Sequence, residues 1–371
     1  MSRVVVTGWS ALTSAGVGVA PLARRLAGVV LDALPASSGV PVGQLYPEPL
    51  PAPNGHALTD FDVRAHLGRK GTSWYDRATA LAVVCCQEAL REAGTAVDDT
   101  SRPRVGVVLG TSLGSFKSTS DFTRETLVQE RPYLVNPTLF PNTVMNCAAG
   151  QVAIRFGLRG VNATIAGGTL AFLNAIRYAA MTIERGYADV MLTGAVEEFT
   201  PHRAWASHLT GSTEAVAAGE AAGVFVLSGP EPPAWAGDRR SADILAVATG
   251  YGPGGGTGAE RALTACVQRA RQRAGVRPTA ISTVLTGEAE EADDREYGPV
   301  VHALGHRPRR ILSKRLLGEC DAAAGAVALA LLLAAGPAGG PGLSLLTARG
   351  PDGAVGAAIV RRCADAGGDR G

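Results

Sequence analysis

Apolar residues along this chain fall into short β-branched runs separated by longer stretches with a helical repeat. Buried strands are predicted at residues 4–6, 105–109, 163–166, 190–193 and 222–227. Helices are predicted between them, over residues 21–28, 76–94, 117–129, 151–156 and 169–185. The 76–94 segment carries apolar positions at Ala80, Val83, Val84 and Ala89, the spacing of one buried helical face. Residues 29–71 lose this pattern and read as a surface loop rich in Pro, Ala and Gly. A turn is expected at 98–103, and 137–149 reads as a connection of small and polar residues.

The run GPEPPAWAG at 229–237 interrupts the pattern. After it the order repeats: strand 244–248, glycine-rich turn 252–258, helix 259–274, strand 282–285, helix 295–304, strand end 311–312, helix 321–333, and strands 343–347 and 355–360. Two stretches of like order predict an α/β protein of two pseudo-duplicated halves, residues 1–235 and 236–371.

Composition narrows the classes. The chain has 371 residues, enough for a large core. Lys plus Arg number 35 against 33 Asp plus Glu, a formal charge of +2, which gives no electrostatic case for nucleic acid or an anionic membrane. The six cysteines form no CxxC pair, so neither a zinc site nor a disulfide framework is expected, and a reducing compartment is. No metal site is expected. The chain enters its first strand directly, and its most apolar stretch, 322–335, has the length of a core helix rather than of a membrane span. A cytoplasmic protein is the expectation.

Residues 160–198 carry the chemistry. A strand, the Gly167-Gly168 pair, a helix and a second strand spell a βαβ unit, with Thr169 at the turn. Free backbone N–H groups at such a helix start favour an anion or an activated nucleophile. The run GVNATI-x-GG-x-LAFLNAI followed by GYADVMLTGAVEE resembles the active-site segment of the β-ketoacyl synthases. So do VVVTGWSALTSAG (4–16), VGVVLGTSLG (105–114), LFPNTVMNCAAGQVAIRFGLRG (139–160) and SKRLLGECDAAAGAVALALLLAA (313–335). The resemblance implies the thiolase fold, layered α-β-α-β-α, and decarboxylative condensation of acyl chains.

It also marks where the chemistry has gone. The family's nucleophilic cysteine corresponds to Thr169, whose hydroxyl needs a strong adjacent base to act; the alternative is a threonine that caps the helix. The first family histidine falls in Thr286-Gly287-Glu288-Ala289-Glu290, where none stands. Glu288, Glu290, Glu291, Asp293 and Asp294 read there as a solvated acidic face starting a helix. At the second, Lys314 to Gly318 is kept but Glu319 replaces histidine; it is read either as a proton acceptor or as the partner of Lys314 or Arg315. The family's GFGG-type gate is replaced by TARGPDGA at 347–354. The six histidines, at 56, 66, 202, 208, 302 and 306, are expected in loops, exposed segments or a helix, away from these positions.

A condensing fold without its catalytic residues resembles the chain-length factors of type II polyketide synthases. Many of those carry glutamine where this chain has Thr169. The resemblance implies a heterodimer or heterotetramer with a cysteine-bearing ketosynthase, an acyl carrier protein whose phosphopantetheinyl arm serves that partner, and no cofactor of this chain's own. It implies that Phe116, Thr119, Ser120, Phe122 and Thr123 reach toward the partner's acyl tunnel, with Phe116, Thr119 and Thr123 on one helical face. Ordinary packing is the alternative for that face. Asn142, Asn146, Cys147 and Gln151 match a segment at the family's dimer interface. Rival readings are a homodimeric acyltransferase or hydrolase using Thr169, and an acyl-binding scaffold.

Overall fold

The computed structural model describes residues 3–26, 39–211, 216–254, 256–335 and 342–363. The end of the helix expected over 21–28, the start of the loop expected over 29–71 and Gly255 lie outside them. The first half runs β1 (Val4–Thr13), β2 (Gly16–Val17), α1 (Val19–Leu26), β3 (Val40–Pro41), β4 (Asn54–Gly55), α2 (Val63–Leu67), α3 (Arg77–Ala93), β5 (Val105–Thr111), α4 (Phe116–Val128), α5 (Cys147–Phe156), β6 (Asn162–Ala166), α6 (Ala171–Glu184), β7 (Val190–Glu197), α7 (Pro201–Leu209) and β8 (Ala221–Ser228). The second runs β9 (Ala242–Tyr251), α8 (Gly256–Ala274), β10 (Ile281–Thr286), α9 (Tyr297–Leu304), β11 (Arg309–Leu312), α10 (Ser313–Leu317), α11 (Ala324–Ala334), β12 (Leu343–Arg349) and β13 (Ala354–Arg362).

The long strands hydrogen-bond in the order β6-β5-β7-β8-β1 and then β9-β13-β12-β10-β11. Counted in chain order within each half, both read 3-2-4-5-1. In each, three strands are parallel and the strand after them turns antiparallel. The halves join where Val4, Val5 and Val6 pair with Ile244, Asp243 and Ala242.

Strand alternation builds the layers. Val190 and Leu192 of β7 face an outer core with Leu81 of α3 and Val152 of α5, whereas Met191 between them faces a central core with Phe172 of α6 and Val327 of α11. Strands of the second half send Ile244, Leu346 and Ala358 to that same central core. They send Val284, Leu345 and Ile359 outward, to Leu263 of α8 and Val300 of α9. Helices therefore cover both outer faces and fill the middle, the α-β-α-β-α arrangement. The central helix α11, AGAVALALLLA, has apolar residues all round, as burial on every side requires.

Local signals set several boundaries. Asp76 caps α3 by accepting from Thr79 N, and Gly94 ends it in the left-handed region at φ 67°. β1 runs on to Thr13 rather than ending at Gly8. Gly8 serves a close approach instead, since a Cβ there would lie 2.3 Å from the Ala93 backbone nitrogen of α3. Two expectations are corrected. The region 39–71 holds α2 and the small β3–β4 ladder, and α5 begins at Cys147, within the expected connection, after a 3-10 stretch at Pro137–Thr143. The helix α7 was not expected. Its signal was Thr200-Pro201: Thr200 caps Arg203 N, with proline in the first turn. All six cysteines carry free thiols.

Candidate functional site

The turn after β6 brings Thr169 to the start of α6. Gly168 takes φ 50°, open to glycine without strain, and Gly168–Leu170 form a 3-10 turn. Thr169 is half-buried. It does not cap the helix: no side-chain cap is made at the start of the turn or of α6. Among the described residues, no base hydrogen-bonds to its hydroxyl. A threonine nucleophile requires such a proton acceptor.

The run that the resemblance assigns to the first family histidine holds a buried ion pair. Glu288 is 4% exposed, which corrects its reading as part of a solvated face. It pairs with Arg310 and accepts from Glu296 N at 2.6 Å and Tyr297 N at 3.2 Å, so it caps α9. The Arg310 guanidinium lies 4.9 Å from the centre of the Tyr297 ring. Glu296 is also buried; it accepts from Gly287 N at 3.0 Å and from Thr347 Oγ1 at 2.6 Å, and burial raises its pKa. The rest of the run is peripheral: Glu290, Glu291 and Asp294 are exposed, Asp293 pairs with Arg295 and Glu291 with Arg315.

At the second position Glu319 pairs with Lys314 and accepts from Asp321 N at 3.0 Å. Burial works against the Lys314 charge, yet Glu319 beside it holds its pKa above the usual value. The ion-pair alternative is the one observed. Asp321 is held at φ 40°, a left-handed conformation seen at no other non-glycine position among the described residues. The segment 347–354 spans the end of β12, the connection at 350–353 and the first residue of β13.

His56, expected in a loop or exposed segment, is 1% exposed. A Cβ at Gly318 would lie 2.5 Å from its ring, so glycine lets the ring pack against the backbone there. His306 Nε2 lies 3.0 Å from the Ile281 carbonyl. His66 stacks on Phe61, and His208 and His302 are exposed. No group of three or more His, Cys, Asp or Glu suited to a metal ion occurs among the described residues, and none of their helices is long and apolar enough to cross a membrane.

Arg203 of α7 ties these pieces together. It donates to the carbonyls of Glu198, Gly219 and Glu319 at 2.8, 2.6 and 3.1 Å and to Asp321 Oδ2 at 2.7 Å. Beside it, burial pushes Glu197 up to about 7 against the pull of Arg203. Burial, with Asp76 second, pushes Glu198 up to about 8. Sequence reading did not single out Arg203, Glu197 or Glu198; the consecutive carboxylates ending an apolar strand were the available sign.

The remaining predicted residues lie in a different setting. No residue from Phe116 to Cys147 is buried. Phe116 meets the His202 ring edge-on at 6.4 Å, and Phe122 meets Phe140 at 6.0 Å. Thr119 Oγ1 donates to Ser115 O at 3.0 Å and to Thr143 O at 3.4 Å. Thr123, exposed, donates to Thr119 O, and Ser120 is half-buried. Phe116 thus faces α7, while Thr119 faces the 3-10 stretch. Asn142 donates to Trp74 O at 2.9 Å, and its Oδ1 lies 3.4 Å from Cys147 Sγ. Asn146 is exposed and Gln151 half-exposed. Leu127 is 79% exposed, Tyr133 68% and Phe140 57%, and β6 ends the sheet with one edge unpaired. The space between the ends of β5 and β6 and the start of α5, lined in part by Asp76, Ser115, Met145 and Cys147, amounts to 10 Å³, too little for an acyl chain.

A family model described as "Beta-ketoacyl synthase, N-terminal domain" matches residues 1–213. Among solved structures, "The ishigamide ketosynthase/chain length factor" is 32% identical, with a TM-score of 0.81 over 97% of this chain and 99% of that one. A β-ketoacyl synthase from Burkholderia phymatum, 20% identical, has a TM-score of 0.81 over 98% and 100% of the two chains, a likeness of fold. The "3-oxoacyl-[acyl-carrier-protein] synthase 2" of Staphylococcus aureus is 27% identical over 306 residues, 74% of this chain and 70% of the relative.

Proposed function

The chain belongs to the β-ketoacyl synthase family, and on that premise we propose that it is the non-catalytic, chain-length-factor subunit of a type II polyketide synthase. It pairs with a cysteine-bearing ketosynthase, and the pair is served by a phosphopantetheinyl acyl carrier protein. This chain contributes a wall of the partner's acyl channel, with α4 as the element that meets the growing chain.

The observation that carries the reading is the stretch from Phe116 to Cys147. It contains a 13-residue helix with no buried residue and a seven-residue 3-10 segment with none, and it displays Leu127, Tyr133, Leu134, Phe140 and Met145. Order without burial is unusual, because an isolated helix of that length is marginal in water. Large exposed apolar side chains and an unpaired strand edge are both features of protein interfaces. The positions that the resemblance assigns to catalysis support the same reading: no histidine stands at either, and the carboxylates Glu288 and Glu319 found there are each engaged in an internal ion pair. A carboxylate without a proton cannot donate to an oxyanion.

Co-expression with a cysteine-bearing ketosynthase encoded beside this chain tests the proposal. A one-to-one complex is expected, burying more than about 2,000 Å² as obligate interfaces do. It is expected to elongate malonyl units on a carrier protein, while this chain alone elongates none. Thr169→Ala in the complex is expected to leave the rate within about twofold, since each 1.4 kcal/mol of lost transition-state binding would cost tenfold. A stable homodimer that acylates Thr169 would replace this reading with an acyltransferase.

A further inference from the structure

Helix α4 has no buried face, yet its first turn is held from below by one place in the protein. At the end of β7 the chain presents two consecutive carboxylates, both about 1% exposed. Glu197 accepts from Ser112 N and from Thr111 Oγ1, the latter at 3.4 Å. Thr111 Oγ1 in turn accepts from Gly114 N at 3.0 Å. Glu198 accepts from Ser115 Oγ at 3.3 Å, from Lys117 N at 3.4 Å and from Ala78 N at 3.3 Å. The two side chains therefore grip the whole β5–α4 connection and cap the first turn of α4. Neighbouring strand residues normally point to opposite faces. Both reach one loop here because Glu197 is the last residue of β7 and Glu198 lies beyond it.

The rest of α4 is held by weaker means. Lys117 pairs with Glu48 and Asp121 at 3.1 and 2.7 Å, with each of the three side chains more than a quarter exposed, and exposed pairs contribute little. Thr119 meets one carbonyl of the 3-10 stretch. We infer that Glu197 and Glu198 are positioning residues that fix the direction of α4, and through it the shape of the channel wall that α4 gives to its partner. The second clause rests on the proposed function; the first does not. Helix α3 also receives a bond from Glu198, but it is independently held by Asp76 and by a deeply buried face. Loss of the anchor therefore frees α4 alone.

The experiment has two arms, each run on Glu198→Ala, Ser115→Ala and Glu198→Gln. Gln keeps the side-chain shape and one of the two acceptor oxygens, and Ser115→Ala removes the bond to Glu198 together with the cap that Ser115 Oγ makes to Ser118 N, without opening the core. In the purified full chain, amide hydrogen exchange is expected to rise tenfold or more over residues 116–128 in Glu198→Ala. A smaller rise is expected in Ser115→Ala and little change in Glu198→Gln, with residues 77–93 unaffected in all three. Unchanged exchange over 116–128 in both alanine variants overturns the anchor. So does an equal rise over 77–93, which would mean general loosening. If Glu198→Ala fails to fold, Glu198→Asp, which shortens the reach without emptying the site, decides in its place. In the complex, the alanine variants are expected to elongate while giving a broader product-length distribution, and Glu198→Gln to restore the wild-type one. Unchanged lengths with altered exchange overturn the channel clause. A wild-type chain that assembles no elongating complex overturns the proposed function and that clause together, leaving the exchange result to decide the anchor.

Discussion

Arg203→Ala is expected to lower the stability of the chain by about 3–5 kcal/mol, the range for breaking a buried charge network by removing one partner. Arg203 is 5% exposed. Its guanidinium satisfies carbonyls from three separate segments, at Glu198, Gly219 and Glu319, and pairs with Asp321. Truncation leaves these carbonyls without that donor and takes from Glu197 the cation that favours its charge. Each unsatisfied buried group costs about 1–3 kcal/mol. Lysine does not rescue, because a single ammonium on a flexible stem lacks the planar fork that reaches four acceptors in fixed directions. Urea unfolding of the purified chain measures the effect. A loss below about 1 kcal/mol would mean that the carbonyls find other donors and that the network is dispensable.

Stability is expected to fall as pH rises from about 5 to about 8, the reverse of the usual behaviour of ion-paired carboxylates. Glu197 stands at about 7 and Glu198 at about 8 in the folded chain, both above the ordinary glutamate value of 4.5. Within that window the folded chain binds more protons at these sites than the unfolded chain does. The slope of stability against pH is therefore negative, and the stabilisation present at acid pH is lost on the way up through the folded pKa values. Each carboxylate contributes up to about 1.4 kcal/mol per pH unit, so on the order of several kcal/mol is at stake across the window. The charged groups facing the pair are Arg203 and Asp321 at Glu197, and Asp76 at Glu198. Asp76 and Glu296 are raised by burial as well and add to the same slope. A Glu197→Gln, Glu198→Gln double variant keeps the side-chain shapes but removes the titration, and is expected to flatten most of the profile. Melting temperatures across the range decide; a flat or rising profile in the wild-type chain would remove the effect.

Much of the architecture was legible because its causes are local. Asp76 and Gly94 delimit α3 in sequence as they do in space, and the uniform apolarity of 324–334 predicts a helix buried all round. The repeated order after residue 237 anticipates the like strand order of the halves. The residue types at Thr169, Glu288 and Glu319, where the chain differs from the motifs it resembles, could likewise be read without knowing their neighbours. The family resemblance was carried by long motifs whose hydrophobic spacing and glycines serve packing.

What surrounds those positions needed the tertiary structure. Glu288 reads as one acidic residue in a solvated run, but Arg310, 22 positions on, is brought beside it by the parallel pairing of β10 and β11. His56 becomes a core residue because Gly318, distant in sequence, leaves room for its ring. Arg203 meets Glu319 and Asp321 from 116 and 118 positions away, and no periodicity encodes such a contact. The resemblance turned 116–123 and 142–151 toward a partner, but that Leu127, Tyr133 and Phe140 stay uncovered depends on neighbours that only the folded chain brings into place. Local hydrophobic period and capping decide which elements form. Which buried charges meet, and which apolar side chains stay uncovered, depends on contacts between segments that only the folded chain brings together.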